Sequence, residues 1–200
     1  MTTTVNNKSE VVQSGTTISI DAMGGDLGPA AIVAGIVRVA QKNKRIHFLL
    51  HGQEEQLRKL VAKRQSLKGR VTIIDSVEVI KMEDKPSHVV RHGKATSMWS
   101  AIDSVRDGDA SVCVSCGNTG ALMAISMVRL RKLNGVNRPA IAILWPSSNP
   151  MGFNVMLDVG ADVRADPKDL LQYALMGVSY ARNGLGIAKP RVGLLNVGTE

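Results

Sequence analysis

The sequence predicts an α/β fold: three layers, with a mostly parallel sheet, helices on both faces and one short antiparallel excursion. Three observations carry this. Short β-branched runs alternate with longer stretches of helical periodicity from residue 18 to the end of the chain. Several strand ends pair glycine with Asp, Asn or Glu, and in open α/β sheets ligands bind at the carboxyl ends of strands. Hydrophobic residues make up 44% but aromatics only 3%, so Val, Ile, Leu, Met and Ala must fill the core.

The elements follow in order. Residues 1–15 are rich in Thr, Asn and Ser, lack the apolar run of a signal peptide, and are expected to form a disordered leader before one domain over residues 16–200. Residues 18–20 are a strand ending in a loop with Asp21, Gly24, Gly25 and Asp26. Gly28-Pro29 then opens a helix over residues 30–41, because a proline in the first turn forgoes an N–H that has no partner there. Its inward side carries Ile32, Val33, Ile36, Val37 and Ala40. A strand is expected over residues 46–51, a helix over 53–64 with Leu57, Leu60 and Val61 inward, and a strand over 71–75. Residues 76–93 read as an irregular polar stretch. Residues 96–106 are a helix with Met98, Ile102 and Val105 on one face, and residues 110–115 a strand. The helix expected over 121–133 is apolar on nearly every side of its first two turns, which predicts burial on more than one face. Strands at 140–144 and 154–159 are joined too closely for a crossover helix, so they should pair antiparallel. Asp166-Pro167 caps a helix reaching Ala181, with Asp169 completing the cap and Leu170, Leu171, Ala174, Leu175 and Val178 inward. A last buried strand is expected over 192–197. Gly198-Thr199-Glu200 follows it where a ligand loop would start, so the chain reads as cut short.

Composition narrows the function. The net charge of +8 favours an acidic partner or an anionic substrate, without choosing between them. Scarce aromatics argue against a surface for stacking bases. No apolar run reaches the roughly 18 residues of a membrane span. The only two cysteines, Cys113 and Cys116, are too few for a structural zinc site and are expected to be reduced thiols in a cytoplasmic protein.

Four strand ends carry the candidate chemistry. Ser115-Cys-Gly117-Asn118-Thr119-Gly120 joins a strand to a helix N-terminus, where free N–H groups and the helix dipole favour an anion. Asn118 and Thr119 add side-chain donors. The same turn also fits a plain strand–helix connection that needs its glycines for geometry. Asp21 and Asp26 can orient a cation that holds an anion, ligate a divalent metal together with Asp158, or satisfy the donors of their own turn. Lys85, in the rigid Lys85-Pro86-Ser87, and Lys94 lie in the polar stretch. His88 and His92 share a spacing of four, but no third ligand follows, so no metal site is expected. His47 and His51 look structural. Asp158 and the segment with Asn196, Gly198 and Glu200 are further polar strand ends. Four such ends in one sheet predict a single site along its carboxyl edge.

Five stretches resemble the bacterial phosphate acyltransferases: Ile20-Asp-Ala-Met-Gly-Gly-Asp26, Glu83-Asp-Lys-Pro86, Ser115-Cys-Gly-Asn-Thr-Gly-Ala-Leu-Met123, Leu157-Asp-Val-Gly-Ala161 and Gly193-Leu-Leu-Asn-Val-Gly198. The resemblance runs in order from residue 18 to residue 200. It implies a phosphotransacetylase/isocitrate dehydrogenase-like fold and transfer of a fatty acyl group from acyl carrier protein to inorganic phosphate, giving acyl phosphate for phospholipid synthesis. It implies a homodimer, no cofactor, no nucleic acid, a cytoplasmic location, and peripheral contact with the inner face of the cell membrane through a C-terminal part beyond residue 200. Members often carry a small residue where Cys116 stands, which argues against a cysteine nucleophile. The site residues expected are Asn118, Thr119, Lys85 and Lys94 for catalysis. Asp21, Gly24, Gly25, Asp26, Ser115, Gly117, Gly120, Asp158, Asn196, Gly198 and Glu200 are expected to bind substrate or phosphate. The competing reading is a nucleotide- or phosphate-binding module, or a carrier-protein docking module, without chemistry of its own. Because the family continues past residue 200, the chain alone is expected to show little or no turnover.

Overall fold

Strand alternation sorts the first sheet into two unlike faces. In β1 (Thr16–Asp21), Ile18 and Ile20 point one way, Ser19 and Asp21 the other. In β2 (Ile46–Gly52), Phe48 and Leu50 join the first face and His51 the second. With β3 (Val71–Asp75) and β4 (Val112–Ser115) these form a four-stranded parallel sheet in the order β3-β2-β1-β4. The register sets Asp21 beside His51 on one side and beside Ser115 on the other, so three polar residues stand abreast at the carboxyl edge.

The computed structural model describes residues 15–159 and 165–195. They divide into two units, residues 1–131 and residues 132–200. In the first, α1 (Gly28–Lys42) and α2 (Glu54–Ala62) cover the apolar face. Val33, Ile36, Ala40, Leu57 and Leu67 pack there against Ile20, Ala22, Phe48 and Leu50. Arg70 closes the far end by donating to the carbonyls of Ala40 at 2.7 Å and Ile46 at 2.9 Å, the former an orphan of the last turn of α1. The second face is covered by α3 (Pro86–His92), α4 (Ser97–Arg106) and α5 (Thr119–Arg129), whose core of Val89, Met98, Trp99, Ile102, Ala121 and Ile125 includes Ile80 and meets Cys113. Helices on both faces give the three layers expected. The chain runs outward from β1 through β2 to β3, then returns to place β4 on the other side of β1. Loops leaving β1 and β4 therefore enter helices on opposite faces, which makes the β1/β4 strand ends a topological switch point.

In the second unit, β5 (Ala142–Pro146) and β6 (Phe153–Leu157) pair antiparallel, as their short connection requires. The helix α6 (Pro167–Leu185) starts on a capping box of Asp166 and Asp169 and ends on Gly186 at φ 69°, a conformation glycine adopts without strain.

Several expectations are corrected. The polar stretch 76–93 contains α3, a seven-residue helix that Pro86 opens. The helix expected to reach residue 133 ends at Arg129, and only Ala121 and Ile125 are buried on it, so it is not covered on several sides. The inner stripe of α6 is rotated: Tyr173 and Ala181 are buried, while Leu171 and Leu175 are 63% and 64% exposed. Residues 192–195 form no strand and expose Leu194 and Leu195, and residues 196–197 lie outside the described residues. The expected leader, apart from Gly15, also lies outside them. β6 belongs to a separate two-stranded sheet, so Asp158 does not stand on the parallel sheet's edge. Among the described residues, no helix is long and apolar enough to cross a membrane.

Candidate functional site

The loops leaving β1 and β4 meet through glycines because nothing larger fits. A Cβ on Gly24 would lie 2.5 Å from Asp21 Oδ2 and 2.9 Å from the Gly117 nitrogen. Gly25, at φ +97°, lies against Cys116. The two glycine loops thus touch, and each needs its glycine for that approach. A third contact adds α3, since a Cβ on Gly120 would stand 2.9 Å from Pro86 Cγ. Lys85, the residue before this proline, is thereby brought to the start of α5.

Asn118 builds that junction. Its side-chain oxygen accepts from the Ala121 N–H at 3.0 Å, capping α5. Its two amide protons are shared among the carbonyls of Lys81, Met82 and Asp84 at 2.9–3.2 Å. The amide has no proton left for a ligand, so Asn118 positions the turn and is not the free donor the sequence suggested. Gly117 N–H is also committed, to Ser115 Oγ at 3.0 Å. The Thr119 hydroxyl, exposed at the first position of α5, has no partner among the described residues, nor do the N–H groups of Thr119 and Gly120. These donors, on the positive end of the α5 dipole, are what the turn offers an anion.

Asp21 is 2% exposed, and no cation pairs with it among the described residues. Its Oδ1 accepts from Ser97 Oγ at 2.6 Å and from the Met23 N–H at 3.3 Å, its Oδ2 from Ser115 Oγ at 2.7 Å. Asp21 therefore joins β1, β4 and α4 and does not orient a lysine. Asp26 is exposed without an ion pair among the described residues. Lys94 is exposed in the turn Gly93–Ala95 between α3 and α4, and its side chain makes no hydrogen bond or ion pair among the described residues. Asp158 lies in the second unit at φ 65°, and Asn196, Gly198 and Glu200 lie outside the described residues. The structure thus gathers Asp21, Gly24, Gly25, Ser115, Gly117, Asn118, Thr119, Gly120 and Lys85. No group of three or more metal-ligating side chains occurs among the described residues, and the rings of His88 and His92 lie against each other, centroids 4.7 Å apart.

Sequence reasoning missed the layer beneath. Ser97, Ser100 and Ser104 lie on one face of α4 toward the sheet. His51, fully buried, sits between them and Ser19. Ser19 donates to the Ala101 carbonyl at 2.7 Å, so its oxygen must accept from His51 Nε2 at 3.0 Å. Nδ1 is then the acceptor for the Ser100 hydroxyl at 2.8 Å. Burial holds the imidazole neutral, its pKa pulled down to about 4, against a smaller upward pull from Asp21. Burial and the Asp21 charge likewise push the Cys113 thiol up to about 12. Both cysteines are free thiols, Cys113 half-buried and Cys116 exposed.

Two glycine loops meeting at the switch point of a parallel sheet, one of them opening a helix, define a protein of the open α/β class. A family model described as fatty acid synthesis protein matches residues 16–200, and the chain belongs to that family. It is 71% identical over 185 residues to a phosphate acyltransferase of Ruegeria sp. (strain TM1040), and 69% identical over 187 residues to one of Dinoroseobacter shibae. These alignments cover 92% and 94% of the chain but 49% of each relative, so the chain spans about half the length of the curated relatives it matches. Among solved structures it is similar to the EutD phosphotransacetylase from Staphylococcus aureus, with a TM-score of 0.56 and 14% identity over 84% of this chain and 53% of that one. That likeness shows the shared fold.

Proposed function

We propose that the chain is the phosphate-binding part of a phosphate acyltransferase, which moves a fatty acyl group from acyl carrier protein to inorganic phosphate and yields acyl phosphate for phospholipid synthesis. The observation that carries this is the α5 start. The Thr119 and Gly120 N–H groups and the Thr119 hydroxyl are unpaired among the described residues, where the loops of Gly24 and Gly117 meet and where Pro86, the neighbour of Lys85, packs on Gly120. The phosphotransacetylase-like fold and the relatives' names support it.

In this reading a phosphate oxygen attacks the thioester carbonyl carbon. A tetrahedral oxyanion forms, then collapses and expels the carrier's thiolate, which takes up a proton. Phosphate is already an anion, so the protein's work is placement and charge stabilisation. The α5 turn holds the phosphate, Lys85 offsets its charge, and Asn118 and Asp21 keep the turn in place. Residues 16–200 are then one part of an α/β domain completed by the other half of the relatives' length. The enzyme works as a homodimer in the cytoplasm, and that other half makes peripheral contact with the membrane. The chain's +8 charge suits an acidic carrier protein.

The test is release of free carrier-protein thiol, with and without phosphate, in the full-length enzyme. Losing one such donor typically costs about 10²–10³ in rate, so Thr119→Ala should lower turnover sharply. Asn118→Ala, which removes the α5 cap and the bonds to the carbonyls of Lys81, Met82 and Asp84, should lower it as well by displacing the turn. Near-normal turnover in both overturns the assignment.

A further inference from the structure

His51 makes no hydrogen bond to the α5 turn, yet among the described residues it is one of the most fully buried polar side chains and both its ring nitrogens are used. It stands next to Asp21 in the strand register, and its own carbonyl accepts the Ala22 N–H at 2.9 Å, at the first residue of the Gly24–Gly25 loop. Its ring crosses from β2 to the serine face of α4, accepting from Ser100 and donating to Ser19, with Ser104 Oγ 3.4 Å from Nε2. One turn earlier on the same helix face, Ser97 donates to Asp21 Oδ1. Asp21 Oδ2 accepts from Ser115, which in turn accepts from Gly117 N–H in the β4 loop. An unbroken chain of hydrogen bonds and helix backbone therefore runs from the imidazole to the loop that opens α5.

We propose that His51 is a positioning residue for the phosphate site: its Nε2–H tautomer fixes α4 on the sheet so that Ser97 and Asp21 hold the β4–α5 turn. This rests on the reading of that turn as the phosphate site. An apolar residue of similar size would fill the same space, but the buried Ser19 would keep only its bond to the Ala101 carbonyl and the half-buried Ser100 hydroxyl would lose its acceptor, each a costly loss for a polar group held under the sheet. The helix would then have to slide or turn to find water or another acceptor. Displacements of about 1 Å at such a site can cost as much as 100-fold.

The experiment is inorganic-phosphate titration by calorimetry of the 200-residue chain and its His51→Gln, His51→Phe and Ser100→Ala variants, with thermal melting of each. Nitrogen-15 spectra of the wild-type imidazole complete the set. His51→Gln can keep one donor and one acceptor and should bind phosphate within about threefold of wild type. His51→Phe, or Ser100→Ala if the former does not fold, should bind at least about tenfold more weakly while still melting cooperatively. The imidazole should show the neutral Nε2–H signature at pH 7. Folded His51→Phe or Ser100→Ala with wild-type phosphate affinity overturns the proposal and leaves the phosphate site standing. So does an Nδ1–H imidazole. Absence of phosphate binding in the wild-type chain overturns both.

Discussion

The two faces of the parallel sheet are built on opposite principles. On one, Ile20, Ala22, Phe48 and Leu50 meet Val33, Ile36, Ala40 and Leu57 in an apolar layer. On the other, the same two strands present Ser19, Asp21 and His51 to Ser97, Ser100 and Ser104, and all six but Ser100 are buried. Apolar burial is strong but non-directional. Hydrogen bonds add less net stability each but fix orientation. The comparison teaches a division of labour: the apolar face holds the sheet together, and the polar face sets where the strand ends point. The candidate site lies at the end of the polar face.

Paired substitutions break this comparison most strongly. Leu50→Ala should cost about 2–5 kcal/mol, and the folded fraction should keep its phosphate affinity. Asp21→Ala leaves the Ser97 and Ser115 hydroxyls without their acceptor, each such bond to a charged group being worth about 1.5–3 kcal/mol. It should therefore lose comparable stability and also phosphate binding. Urea unfolding with calorimetry separates the two, and equal phosphate affinities would dissolve the distinction.

Acid should act on the polar face alone. The folded imidazole of His51 titrates at about 4 and the unfolded one at its ordinary 6.5, so unfolded chains take up the proton first. The stability it protects is complete above pH 6.5, erodes as pH falls, and is gone below about 4. The difference of about 2.5 in pKa corresponds to about 3 kcal/mol. Stability measured against pH for wild type and His51→Gln should show wild type losing about that much more between pH 7 and 4.

Glycine substitutions sharpen the comparison at smaller scale. A methyl on Gly24 meets Asp21 Oδ2 and the Gly117 nitrogen, so Gly24→Ala should cost about 1–3 kcal/mol and weaken phosphate binding. Gly35, on α1, has open space where its Cβ would go, and Gly35→Ala should gain about 0.5–1 kcal/mol with binding unchanged. The smallest effect is chemical. At pH 7 an aromatic disulfide reagent should modify exposed Cys116 quickly and leave Cys113, whose thiol is pushed up to about 12, protected until the protein unfolds.

Period and spacing made the apolar face legible, because Ile18, Ile20, Phe48 and Leu50 announce strands and Val33, Ile36 and Ala40 the helix that covers them. The polar face was hidden by the same rule. Met98 and Ile102 drew attention to one side of α4, while Ser97, Ser100 and Ser104, spaced by three and four, carry no apolar signal to mark a buried face. α3 was missed because seven mostly polar residues carry little periodicity, and its packing against α5 holds it in place. The α6 stripe was rotated because Tyr173, one of two tyrosines in the chain, faces inward in place of Leu171 and Leu175. Of the site, the glycine loops were visible as motifs, but their mutual contact and the inward commitment of Asn118 depend on which strands are neighbours. Sequence does not print the order β3-β2-β1-β4.

The central claim is that the start of α5, at the β1/β4 switch point, binds phosphate. A titration of the nitrogen-15-labelled chain with inorganic phosphate tests it most directly. The account predicts saturable amide shifts concentrated at Thr119 and Gly120, with smaller ones at Gly24 and Gly25. Unmoved Thr119 and Gly120 resonances, or shifts confined to the basic ends of α1 and α2 at the opposite edge of the sheet, would contradict it.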